Sequence, residues 1–198
     1  MYLKRVKRFS QEDLFRQLRE VRCMGNNRHL KPYENANFEI RLARPDDYEP
    51  SALYVLRWEL GFLGLLLDEL SLRVGGFENI DTLVEYEDEY GHVTRMIPPI
   101  VEYTDFGAWM ILDGEHRSFI ARHRRMSIPM LFIDNVSVPY PCTPLSDSWN
   151  SVEITERVPI LKRYRRKGLN DTKENEKDLH RNLSSFGSQG TRKPHSPV

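Results

Sequence analysis

The sequence predicts a small α+β domain, and three observations carry the prediction. Between Pro99 and Val138 the residue pattern runs strand, turn, strand, glycine turn, helix, strand. The chain has 198 residues, of which 39% are hydrophobic and 11% aromatic, enough for one core. Near the N-terminus, Leu14, Phe15, Leu18 and Val21 recur with helical spacing, which adds a helical extension.

Taken in chain order, Ser10 reads as the N-cap of that first helix, with Asp13 three residues on, and Gly25-Asn26-Asn27 closes the segment. A polar stretch from Arg28 to Pro50 contains one alternating run, Phe38–Leu42, which reads as a short strand. From Ser51 to Val74 the density of apolar residues predicts one long or broken helix, with Gly61 and Gly64 as weak points and Gly75-Gly76 as its stop. Its aromatics Tyr54, Trp58 and Phe62 read as core residues more readily than as a surface for a protein partner. The acidic stretch from Glu78 to Glu89 reads as a solvated face.

Pro99–Tyr103 and Ala108–Leu112 read as strands around the turn Thr104–Gly107. Asp113-Gly114 breaks direction, Glu115–Met126 reads as a helix, and Ile128–Val138 as a strand. Pro139–Asn150 is a loop, and Val152–Ile160 a short element. Beyond it the polar composition predicts disorder for about the last thirty residues. The predicted organisation is a helical extension over 1–30, the α+β domain over 31–166 and a disordered tail over 167–198.

Charge and cysteine content bound the function. Lysine plus arginine and aspartate plus glutamate both number 29, so global charge says nothing about a nucleic-acid partner, and only local clusters can. Two basic clusters exist, Lys4–Arg8 and Lys162–Lys167. Cys23 and Cys142 have no metal or disulfide spacing, which fits a reducing, cytoplasmic setting. The most apolar run, Leu60–Leu67, is far short of the roughly 20 residues that span a bilayer, so no membrane partner is expected.

The chemistry concentrates in Asp113-Gly114-Glu115-His116-Arg117. A strand delivers the chain to a glycine, and a helix starts at once. Its first amides and its dipole favour an anion there. Arg117 offers a planar fork of donors for phosphate oxygens, and His116 a donor or a proton carrier. Asp113 and Glu115 would repel a bare phosphate, which points to a divalent cation or a proton-transfer role. Glu115 is the candidate for metal or acid–base work, and Asp113 is equally a helix cap.

The stretch Pro99–Ile133 resembles the ParB/sulfiredoxin superfamily. Members share a Pro-Ile-Val strand, a glycine turn with an arginine, a helix and a strand led by Ile-Pro. ParB proteins carry Gly-Glu-Arg-Arg where this chain has Gly114-Glu115-His116-Arg117. Free-serine kinases of the same fold carry Asp-Gly-His-His-Arg, from which only Glu115 differs. Sulfiredoxins place a catalytic cysteine where Glu115 stands, so sulfinate chemistry is not expected. The resemblance implies a nucleotide-phosphate site at Asp113, Gly114, Glu115, His116 and Arg117, with magnesium and ATP or CTP. Glu115 and His116 would be catalytic and Glu115 the metal ligand. The expected activity is phosphoryl transfer to a small acceptor, as in a kinase, or nucleotide hydrolysis. The alternative is a ParB-like DNA-binding or nuclease-type protein using the two basic clusters. A non-catalytic binding module is a further reading. The upstream carboxylate that the kinases use has three candidates here, Asp68, Glu69 and Glu78. Trp149 could stack on a base or simply pack.

Overall fold

The computed structural model describes residues 1–140, 148–159 and 179–186. Cys142 and the Lys162–Lys167 cluster lie outside them, as does most of the predicted tail.

The main sheet has five strands: β2 (Asn37–Ala43), β3 (Glu49–Pro50), β7 (Ile100–Tyr103), β8 (Trp109–Asp113) and β9 (Ile128–Asp134), in the order β2-β9-β7-β8-β3. Strand β7 runs antiparallel to β8 and parallel to β9, because the helix α3 (Glu115–His123) carries the chain across between them. Successive strand residues face opposite sides. Val101, Ile111, Met130 and Phe132 therefore pack against Phe119 of α3 and against Trp149, while Ile100, Leu131 and Ile133 pack on the other side.

That other side is covered by α1 (Gln11–Arg19). Ser10 caps it as predicted, its hydroxyl accepting from the Asp13 amide at 3.0 Å, and Leu14 and Leu18 are fully buried beneath it. The N-terminal stretch is thus part of the core. It also begins with a strand, β1 (Leu3–Arg8), rather than with helix alone.

A second sheet sets β1 beside β5 (Val84–Asp88), which pairs in turn with β6 (Val93–Met96). The acidic stretch is therefore a strand with Val84 and Tyr86 buried, not wholly a solvated face. The register places Lys7 opposite Glu85 and Arg5 opposite Glu87, and Arg8 reaches Asp81 at 2.5 Å. The basic cluster Lys4–Arg8 thus runs beside the acidic stretch in one sheet, and Glu85 also pairs with Arg95 at 2.9 Å.

Helix α2 (Arg57–Val74) packs on this sheet through Leu66, Leu67 and Leu70 and ends at Gly75, whose φ of 88° is the left-handed cap conformation. The helix predicted from Ser51 starts later, because Tyr54–Leu56 forms strand β4, paired in parallel with β10 (Glu153–Thr155). Trp58 and Phe62 are 37% and 46% exposed, so they are not the core residues their spacing suggested.

Within the tail predicted to be disordered, residues 179–186 are folded. Leu183 and Phe186 join the core beneath α1, and Arg181 pairs with Glu102 of β7 inside the protein. Low apolar density hid this segment, which docks through two apolar side chains and one buried charge.

Candidate functional site

Two helices start side by side. Gly114 is the N-cap residue of α3 and Leu56 that of α2, and neither caps its helix with its own side chain. The positive ends of both helix dipoles meet at this corner.

Gly114 is required by geometry. Its φ is +82°, and a Cβ there would lie 2.8 Å from Arg117 Nη2 and 2.9 Å from Pro99 Cβ. The close approach is therefore to Pro99 and Arg117. Gly114 is itself the N-cap residue, and Asp113 does not cap the helix. Asp113 instead accepts from Arg117 Nη2 at 3.1 Å, while Nη1 donates to the Ile97 carbonyl oxygen. The Arg117 side chain is only 11% exposed. Burial lowers the pKa of its guanidinium, and the charges of Asp113 and Glu115 oppose that. Arg117 thus ties the turn to the strand end and spends its fork within the protein.

Glu115 and His116 each reach a residue far away in sequence. The Ser51 hydroxyl donates to Glu115 Oε1 at 2.5 Å. Ser51 is held in place by its own amide, which donates to the Ile111 carbonyl at 3.0 Å. Removal from water raises the pKa of the Glu115 carboxyl. The Ser51 hydrogen bond works against this rise, and the Asp113 charge adds to it. Such a carboxyl is suited to carry a proton.

His116 Nε2 lies 2.8 Å from the Leu56 amide and 2.9 Å from Glu59 Oε2. In the neutral ring it accepts from Leu56 N–H, and so caps the start of α2. In the protonated ring it donates to Glu59. Both side chains are largely buried, with exposures of 20% for His116 and 16% for Glu59.

The corner thus unites Ser51, Glu59, Asp113, Glu115, His116 and Arg117. Ser51 and Glu59 were missed in the sequence. The three upstream carboxylates singled out lie elsewhere. Asp68 holds Arg124 at 2.5 Å and Glu69 holds Arg73 at 3.0 Å, while Glu78 sits in the short turn after α2, beside Gly76. The available signal for Glu59 was an acidic residue in the first turn of a helix. Trp149 is buried and donates to the Pro45 and Tyr48 carbonyls, so it packs. His123 stacks on Phe119 and His92 pairs with Asp88.

As to metal, no group of three or more His, Cys, Asp or Glu side chains is gathered for an ion among the described residues. Glu115 is engaged by Ser51, Asp113 by Arg117 and Glu59 by His116. The corner is no protein-built metal cage. Magnesium commonly takes only one or two carboxylates and draws its remaining ligands from phosphates and water. Among the described residues no helix is long and apolar enough to cross a membrane.

Comparison with known proteins gives one result. No curated protein and no solved structure matches the chain. The family model described as the ParB CE domain matches residues 13–153, from the first turn of α1 through the whole corner to the start of β10. That span is well over half of the chain and agrees with the α+β architecture, and the chain belongs to the ParB CE domain family.

Proposed function

We propose that this ParB-like domain associates with nucleic acid and handles a phosphate ester at the corner where α2 and α3 begin. The single observation behind this is the Glu59–His116 pair, 2.9 Å apart at two helix N-termini. Helix N-termini favour an anionic group, and a carboxylate–imidazole pair can move a proton to or from it. Glu115 supplies a second proton-carrying group, held by Ser51. Membership in the ParB CE domain family supports the nucleic-acid side of the reading.

On this reading Arg117 acts by fixing the turn through Asp113 and Ile97, and the phosphate is met by backbone amides and His116. The Lys4–Arg8 cluster contributes little to DNA affinity on this reading, since Glu85 and Glu87 of β5 stand opposite Lys7 and Arg5. Magnesium would enter with the phosphate, taking Glu115 only if Ser51 is released, and would supply charge neutralisation. Incubation of the protein with labelled single- and double-stranded DNA tests the reading, at low and high salt, with and without magnesium. Salt-sensitive retention or cleavage that is lost in Glu59→Gln supports it. Absence of both at low salt sinks it.

A second reading is nucleotide chemistry, transfer of a phosphoryl group from ATP or CTP to a small acceptor or hydrolysis of the nucleotide. The Asp-Gly-x-His-Arg turn favours it, because it resembles that of the free-serine kinases. Titration with ATP and CTP plus magnesium separates the two. Binding of free nucleotide without any DNA retention selects the second.

A further inference from the structure

The main sheet treats its two edges differently. On one side it ends in β3, which is two residues long and closes on Pro50. On the other it ends in β2, which pairs with β9 over all seven residues from Asn37 to Ala43 with no shift of register. Short strands, prolines and bulges are the devices that keep an edge from taking up another chain, and β2 has none of them. Among the described residues the backbone of Asn37–Ala43 makes no hydrogen bond outside this ladder. One rail of donors and acceptors therefore faces away from β9. The charged side chains of β2, Glu39 and Arg41, share one face of the strand and pair with each other at 3.7 Å.

The other face of this edge is apolar and leads into an acidic cleft. Phe38, Ile40 and Leu42 alternate along it, and Leu42 is 59% exposed. Beside Ile40 and Leu42 opens a cleft of about 170 Å³, bounded also by Gln11, Glu78, Asp81 and Pro129. A water molecule takes roughly 30 Å³ of liquid, so the cleft has room for a long side chain. Asp81 is engaged by Arg8 at 2.5 Å and by the Gln11 amide at 3.3 Å. Arg41 borders the cleft too, but its guanidinium lies over the Phe132 ring, 3.8 Å from the centroid. Glu78 is exposed and has no cationic partner among the described residues. The cleft is thus left with one uncompensated carboxylate.

We propose that the open edge of β2 takes up an extended peptide of a partner protein by strand addition, with a lysine or arginine of that peptide entering the cleft toward Glu78. An extended chain is the occupant that can match a rail of backbone donors and acceptors along its length. Its side chains alternate, so every second residue falls on the face of Ile40 and Leu42. One of these reaches the cleft, where the free carboxylate selects a base, and apolar residues two positions away cover Leu42. A second copy of this chain fits less well. In an antiparallel pair of β2 strands the residues brought to this face are Phe38, Ile40 and Leu42 of the other copy, and none of them is basic. The inference is independent of the phosphate chemistry at the α2–α3 corner.

Fluorescence anisotropy with the full chain tests it. The probe is a labelled heptapeptide of alternating threonine and valine, begun and ended by threonine, with lysine in place of the central valine. Saturable binding is expected, together with shifts of the Phe38–Leu42 amide signals in nuclear magnetic resonance spectra. Glutamate in place of the peptide lysine, or methylation of every peptide amide, should remove the binding. Glu78→Gln should weaken it by about threefold. Glu78→Lys should weaken it by at least about tenfold and let the glutamate peptide bind instead. Both variants should melt with the parent, because Glu78 is exposed. Absence of binding at millimolar peptide overturns the inference. So does binding that ignores the peptide charge and amide methylation, or that leaves the Phe38–Leu42 amides unmoved. A concentration-dependent dimer of the chain alone that shifts those amides gives the edge to a second copy and overturns it as well.

Discussion

Glu102 and Arg181 meet inside the fold as a two-pronged ion pair, with Nη2 2.5 Å from Oε1 and Nε 3.2 Å from Oε2. Tyr33 donates to the same carboxylate at 2.8 Å and the Tyr140 amide at 2.9 Å. Arg181 also donates from Nη1 to the Leu179 carbonyl and from Nη2 to the Val138 carbonyl, each at 2.6 Å. Both side chains are within 4% of full burial. Burial alone would lower the pKa of the guanidinium, but Glu102 outweighs it and the pKa rises well above the ordinary arginine value. Both charges are paired and hydrogen-bonded several times over, which is the condition under which a buried charge is tolerated.

Removing one partner leaves the other stranded. Arg181→Met should lower unfolding stability by about 3–5 kcal/mol in urea titrations. Glu102→Gln added to Arg181→Met removes the orphaned charge and should recover part of the loss. If the double variant is no better than the single one, the carboxylate was not the source of the cost.

Gly114 allows a prediction from geometry alone. Gly114→Ala forces a side chain into a left-handed conformation and toward Pro99 and Arg117. The two effects together should cost about 2–3 kcal/mol, read as a lower denaturation midpoint at unchanged slope. A neutral result would mean that the turn relaxes freely, and would remove the argument that it is held rigid.

Glu115 should make stability depend on pH with a definite sign. Its folded pKa is raised, so between the unfolded and folded values the native state holds the extra proton. Stability from this group is full in acid below the unfolded pKa and is lost as pH rises through the folded one. Glu115→Gln keeps an acceptor for Ser51 without the charge. Its melting temperature should equal or exceed that of the parent at neutral pH. The advantage should shrink as the pH falls into the ordinary carboxylate range. Thermal melts across that interval check it, and an advantage that grows in acid would contradict it.

For the proposed chemistry, Glu59→Gln should slow phosphate-ester turnover by about 100-fold, the usual contribution of a positioned acid or base. The same change should move stability by less than about 1 kcal/mol. His116→Ala removes the acceptor of Leu56 N–H as well. It should cost about 1 kcal/mol in addition to the loss of turnover. Comparing melts with turnover for the two variants separates proton transfer from capping.

A last prediction concerns the N-terminal strand. Replacing Arg5 and Lys7 together by alanine should leave the salt dependence of any DNA binding nearly unchanged, because Glu87 and Glu85 stand opposite them. A slope reduced by about 2 would show that these side chains meet phosphates despite their acidic neighbours.

What was legible in the sequence was local. The Ser10–Asp13 cap, the strand–turn–strand around Gly107 and the glycine turn into α3 all depend on residues a few positions apart, and all appear where their spacing put them. Sequence patterns failed where a partner lies far along the chain. Ser51 and Glu115 are separated by 64 residues, and Arg181 and Glu102 by 79, so neither pair leaves a periodic trace. Strand β1 was concealed by its own charges, because Lys4, Arg5, Lys7 and Arg8 mask a single fully buried residue, Leu3. Trp58 and Phe62 misled in the opposite direction, since an apolar residue on a helix has the same spacing whether it faces a core or the surface.

The docking of residues 179–186 beneath α1 has a consequence for synthesis. A growing chain on the ribosome acquires β7 and its Glu102 long before Arg181 emerges. Until then the carboxylate and the floor under Leu14 and Leu18 stay open to water and to proteases. Completion of the fold waits on these late residues, so a premature stop that spares every residue of the α2–α3 corner would still yield a protein that is cleared before it can act.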